Sequence, residues 1–120
     1  MSEDSDARAQ AGGASRLFVY GTLLNPACRE RLLGHPVRTQ PARLDGYRVA
    51  HGRHYYLVAS HADRIDGLIL LDRSAADFAI LDRYEEVPQL YTRETVETIA
   101  PSGEKQRCWV YMPTRRLKLL

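Results

Sequence analysis

The 120-residue chain has little of what would take it out of the ordinary globular class. It has only two cysteines, Cys28 and Cys108, too few for a disulfide framework, and we read both as free thiols. No apolar run approaches the roughly 20 residues that cross a bilayer. The N-terminus is polar and acidic where a secretory signal would be basic and then apolar. The expectation is therefore a cytoplasmic protein with no membrane partner. Charge of one sign is also lacking, since 17 Lys and Arg face 15 Asp and Glu, for a net +2. Without a basic face, no nucleic-acid partner is expected. The one basic cluster, Arg115, Arg116 and Lys118, reads as a solvated tail.

What is present is enough for one core. The composition is 44% hydrophobic and 27% charged, and the length suits a single domain. Apart from Met1, residues 1–15 carry no large apolar side chain, so they cannot recover the entropy lost on ordering and are expected to be a disordered tail. The domain is expected over 16–120. It opens with the apolar run Leu17 to Tyr20, a buried strand that stops at Gly21. A helix follows, with Asn25 to cap it, Pro26 in its first position, and Gly34 and Pro36 to end it. Strands are expected over Ala42 to Ala50, within His54 to Ala59, and over Ile65 to Leu71, the last with Gly67 inside it. Ser74 and Asp77 resemble a capping box opening a helix from about Ala75 to Glu86, ended by Pro88. Tyr91 to Ile99 and Arg107 to Met112, joined by the turn Pro101-Ser102-Gly103, read as a long hairpin. With no internal repeat, the pattern favours an α+β fold, a small mixed β-barrel or strongly curved sheet with flanking helices.

Two places in this pattern can carry chemistry. On the second helix, at about 100° per residue, Phe78, Ile80, Leu81 and Tyr84 share an arc that contains Glu85, with Asp82, Arg83 and Glu86 on the other side. An inward carboxylate without a partner is costly to ionise, so burial should raise its pKa toward the range useful for proton transfer. A salt bridge to Arg93 or Arg43 is the equal alternative. The second place is Tyr20-Gly21-Thr22-Leu23, between a strand and a capped helix, where successive N–H groups can converge on an oxygen atom. An ordinary turn explains the same residues.

Taken in order, Phe18-Val19-Tyr20-Gly21-Thr22-Leu23, then Leu81-Asp82-Arg83-Tyr84-Glu85, then Tyr91-Thr92-Arg93 resemble the gamma-glutamylcyclotransferase-like superfamily. Ala42-Arg43-Leu44-Asp45-Gly46-Tyr47 and Asp66-Gly67-Leu68-Ile69 extend the resemblance over roughly Leu17 to Met112. The Tyr-Gly-Thr-Leu form is most similar to the gamma-glutamylamine branch. The resemblance implies a small barrel with helices beside it and a small-molecule γ-glutamyl substrate. It further implies a loop, Tyr20 to Leu23, that holds the glutamyl moiety, and Glu85 as acid and base. The implied products are 5-oxoproline and a free amine, made with no metal and no cofactor. Tyr91 is a further candidate for the pocket wall. Many members have Gly where this chain has Glu86, a departure that bears on substrate choice.

Other readings compete. His51, His54 and His61 with Asp63 are residue types that bind zinc, but their spacing matches no metal motif. A thiol enzyme built on Cys28 and His35 is weaker still. A binding module without turnover would keep the pocket, but has little use for an unpaired acid.

Overall fold

The computed structural model describes residues 15–120. The expected tail, apart from Ser15, lies outside these residues. Five strands form a closed barrel: β1 (Leu17–Val19), β2 (Thr39–His51), β3 (Tyr55–Leu70), β4 (Tyr91–Ile99) and β5 (Lys105–Pro113), in the order β1-β3-β2-β4-β5. Pairing is antiparallel everywhere except between β1 and β5, which run parallel and meet at Leu17 and Trp109. The barrel is thus mixed, the more closed of the two architectures expected. Among the described residues three α-helices accompany it: α1 (Pro26–Leu33), α2 (Ala75–Tyr84) and α3 (Arg115–Lys118).

Strand alternation sorts the core into two parts. Phe18 points one way, with Leu44, Leu57, Ile69, Cys108 and Val110, while Leu17 and Val19 point the other and join Leu70 of β3 and Phe78, Leu81 and Leu117 from the helices. Gly67 is needed where β3 crosses β1. A Cβ there would sit 2.4 Å from the Val19 carbonyl oxygen and 2.7 Å from the Phe18 ring.

The helix signals work as their chemistry requires. The Asn25 side chain accepts from the N–H groups of Ala27 and Cys28, Pro26 opens α1, and Gly34 ends it at φ +83°. Ser74 Oγ accepts from the Asp77 N–H, but Asp77 does not complete the box. Its buried carboxylate pairs with Arg73 and His35 instead.

Several expectations are corrected. The two short strands from His54 to Leu71 are one strand, β3, because the ladder absorbs an irregularity in which Ser60 to Asp63 lie opposite Gly46 alone: Asp45 pairs with Arg64 while Tyr47 pairs with Ala59. Ser60 and Asp63 bond to each other within that irregularity, which keeps the polar residues in the ladder's path satisfied. The basic residues at the C-terminus, Arg115, Arg116 and Lys118, are exposed as expected but belong to a helix and not a tail: Thr114 caps α3, and Leu117, placed among them, is buried. Helix α2 ends at Tyr84, earlier than the expected Glu86.

Candidate active site

One cavity of about 190 Å³ is bounded by the end of β1, the residues after it, the β2–β3 turn, the end of α2, and Tyr91 and Tyr111 of the last two strands. It brings together all six residues singled out from the sequence: Tyr20, Gly21, Thr22, Leu23, Glu85 and Tyr91. After Tyr20 the chain makes a 3-10 turn, in which Leu24 and Asn25 donate back to the carbonyls of Gly21 and Thr22. The first N–H groups of such a turn, those of Thr22 and Leu23, have no carbonyl behind them within it. Leu23 is buried and anchors the turn to the core. The hydroxyls of Thr22 and Tyr84, 3.3 Å apart, tie the turn to the end of α2.

Glu85 is the C-cap of that helix, one residue beyond Tyr84, and its position has a local cause. The N–H of Glu86 donates to Arg83 and that of Val87 to Asp82, the two bonds of a Schellman motif. Glu86 occupies its left-handed position, φ +55°, which is where glycine is favoured and explains why a Gly commonly stands there. Glu86 is exposed, as the projection expected. The turn leaves Glu85 partly buried in the cavity wall, its carboxylate making no hydrogen bond or ion pair among the described residues. Burial pushes its pKa up to about 7. The carbonyl end of α2 beside it disfavours negative charge in the same sense.

The ion-pair alternative for Glu85 is overturned by where the arginines go. Arg93 pairs with Asp82 at 3.1 Å, and Arg43 pairs with Asp45 at 2.8 Å. Asp82 is therefore not on a solvent face, as the projection had it. It also accepts from the Tyr111 hydroxyl at 2.7 Å, while Arg93 lies between the rings of Phe78 and Trp109, 4.5 and 4.6 Å from their centroids. Tyr84, expected inward, is 43% exposed at the cavity rim.

Three tyrosines surround the acid. Tyr20 donates its hydroxyl proton to the Tyr111 carbonyl, Tyr91 to the Tyr55 carbonyl, and Tyr111 to Asp82. Burial raises the pKa of all three, and the charge of Glu85 adds to the shift in each. Their protons are committed, so each oxygen is left with lone pairs to offer. Such a wall suits a bound ammonium better than an anion. Tyr111 was missed in the sequence, where it is one more residue of an alternating strand.

Among the described residues no group of three or more His, Cys, Asp or Glu side chains is placed to hold a metal ion. His51 and His54 line the cavity, but His61 is exposed and does not. Cys28 and His35 do not meet at the cavity either, since His35 pairs with Asp77. Both cysteines are free. No helix among the described residues is long and apolar enough to cross a membrane.

Comparison with known proteins agrees with the fold. A Methanocaldococcus jannaschii protein described as a gamma-glutamylcyclotransferase and RNase candidate is 26% identical over 99 residues, 80% of this chain and 45% of its own length. The solution structure of an Arabidopsis thaliana protein superposes with a TM-score of 0.74 at 29% identity, covering 85% of this chain and 63% of that one. A structure described as gamma-glutamyl cyclotransferase gives the same score, 0.74, at 17% identity, covering 83% and 66%. The chain thus spans under two thirds of these relatives. The family described as "Gamma-glutamyl cyclotransferase, AIG2-like" matches residues 17–119, nearly all of the chain, and the chain belongs to that family.

Proposed function

We propose that the chain is a γ-glutamyl cyclotransferase of the γ-glutamylamine type, acting on a small γ-glutamyl compound and releasing 5-oxoproline and a free amine. The observation that carries this reading is Glu85, a carboxylate without a protein cation, titrating near neutrality inside a wall of tyrosine oxygens. A site arranged so has use for an ammonium that must lose its proton.

In the reaction the substrate's α-amine attacks its own γ-carbonyl carbon, a C–N bond closes a five-membered ring, and the amide C–N bond opposite breaks. Because the nucleophile is part of the substrate, the enzyme's work is orientation, proton transfer and support of the oxyanion. The α-nitrogen enters as an ammonium with three protons and ends as a ring N–H with one. Glu85 accepts the two protons in succession and passes both to the departing nitrogen, which leaves as an ammonium. The carboxylate is regenerated at the end. Tyr20 and the amides of Gly21, Thr22 and Leu23 hold the glutamyl fragment, and Tyr91 completes the wall.

The test is incubation with a panel of γ-glutamyl compounds while 5-oxoproline is measured. Compounds with a free α-amine should release it, and α-glutamyl isomers and N-acetylated analogues should not. Equal turnover of an N-acetylated analogue would sink the cyclisation, because water would then be the nucleophile.

A further inference from the structure

Helix α1 buries a positive charge that meets no negative one. Arg29 is 6% exposed and pairs with no carboxylate among the described residues. Its Nε is buried there without a partner. Side chains on a helix lean toward its N-terminus, so Arg29 reaches back over the residues that precede α1. One of its nitrogens, Nη1, donates to the Leu24 carbonyl at 3.0 Å and to the Leu23 carbonyl at 3.3 Å. Burying an ion without a counter-ion costs free energy, whereas two backbone carbonyls can be satisfied by water or by a neutral donor. Capping alone is therefore a weak reason to place a guanidinium here.

The peptide groups of the turn give this charge a route to the cavity. The Leu23 carbonyl belongs to the same peptide group as the N–H of Leu24, which donates to the Gly21 carbonyl at 3.0 Å, and that carbonyl shares its peptide group with the N–H of Thr22. In the same way the Leu24 carbonyl leads through the N–H of Asn25, 3.1 Å from the Thr22 carbonyl, to the N–H of Leu23. Two hydrogen-bonded chains thus start on one guanidinium nitrogen and end on the two N–H groups that have no carbonyl behind them within the turn. All the bonds point the same way, so each polarises the next and the last N–H becomes a stronger donor. Arg29 itself does not line the cavity, whereas Thr22 and Leu23 do. We propose that Arg29 is a positioning residue, which through these two chains fixes and strengthens the N–H groups of Thr22 and Leu23 as donors to a negatively charged oxygen of the substrate. That the oxygen belongs to a γ-glutamyl compound rests on the cyclotransferase reading.

The test uses Arg29→Met, which fills much of the buried stem's space but removes the charge and the donors, and Arg29→Lys, which keeps a charge able to reach the same carbonyls. Melting temperature, the amide nitrogen and proton resonances of Thr22 and Leu23, 5-oxoproline release from the γ-glutamyl compound the wild type turns over best, and the affinity for glutamate by calorimetry are measured on both variants and the wild type. Weakening two charge-assisted bonds by roughly 10–30% corresponds to about 2- to 20-fold. Arg29→Met should lose that much in kcat/KM while melting close to the wild type, and Arg29→Lys should recover most of it. The Thr22 and Leu23 resonances should move in Arg29→Met without any ligand, and those of Leu32 and Leu33 at the far end of α1 should not. A loss carried by KM and one carried by kcat both uphold the role, the first placing a carboxylate on the N–H pair and the second the oxyanion of the transition state. Full activity in Arg29→Met overturns the proposal. So do unmoved Thr22 and Leu23 resonances, and so does a fall in melting temperature that accounts for the lost activity, because Arg29 would then serve the fold alone. If no compound yields 5-oxoproline, the cyclotransferase reading fails, and the glutamate affinities still decide. Binding that weakens in Arg29→Met and returns in Arg29→Lys upholds the role of Arg29, while binding that ignores both changes, or no binding, overturns it.

Discussion

A carboxyl group whose pKa is about 7 in the folded protein and about 4.5 in the unfolded one makes stability depend on pH in a defined direction. Between those values the folded state holds a proton that the unfolded state has released, so stability falls as pH rises through this window. The full penalty, reached above pH 7, is on the order of 3 kcal/mol at most. Glu85→Gln keeps the shape and cannot ionise. It should melt higher than the wild type at pH 8, and the difference should close below pH 5. The same variant should lose about 10² to 10⁴ in turnover, as removal of a positioned base does. Wild-type turnover should in turn rise through pH 7. A Gln variant that keeps near-normal turnover would end the role given to Glu85. The helical period made the inward aspect of this acid legible in the sequence. Its isolation was not legible, because Arg93 and Arg43 were both plausible partners. Only the packing of β4 against α2, and the spacing within β2, show that Asp82 and Asp45 take them.

The end of α2 shows how one element places one residue. Both bonds of its terminal motif are made by the backbone, so the turn forms whatever side chain stands at position 86, but a non-glycine residue there adopts a strained left-handed conformation. That strain costs roughly 1–2 kcal/mol. Glycine would remove it while adding roughly 0.5–1 kcal/mol of unfolded-state entropy. Glu86→Gly should therefore be neutral to about 1.5 kcal/mol more stable in urea denaturation. A clear loss of stability would mean that the Glu86 side chain makes a contact the fold depends on. Elements with their own punctuation, such as α1 between Asn25 and Gly34 and the β4–β5 hairpin around Gly103, were legible because those signals act locally. The continuity of β3 was not. Its irregularity from Ser60 to Asp63 resembles a loop in composition, and it is held in the ladder by the matching bend at Gly46 of β2. The helix at Arg115–Lys118 was hidden similarly, since one buried Leu among basic residues gives no periodic pattern.

At the scale of the whole molecule, what escaped the sequence was mostly what distant segments do to one another. The cavity takes the turn after β1, the β2–β3 turn, the end of α2, and residues of β4 and β5, and Tyr111 joined the site only through this assembly. Closure of the expected barrel rests on few pairs. β1 meets β5 at Leu17 and Trp109, and β2 meets β4 at Arg43 and Ile99. The two long hairpins, β2–β3 and β4–β5, pair neighbours in the chain, whereas both seams join segments far apart in sequence. Local pairs form early because little chain entropy opposes them, and distant pairs form late. The barrel therefore has a built-in order of events in time. In refolding followed by pulsed hydrogen exchange, amides of Val96, Val110 and Leu57 should become protected first, and those bordering the seams later. Turnover should return only with the slower phase, because every wall of the cavity waits on the seams to shut. Activity that recovered together with hairpin protection would mean that the barrel closes in a single step.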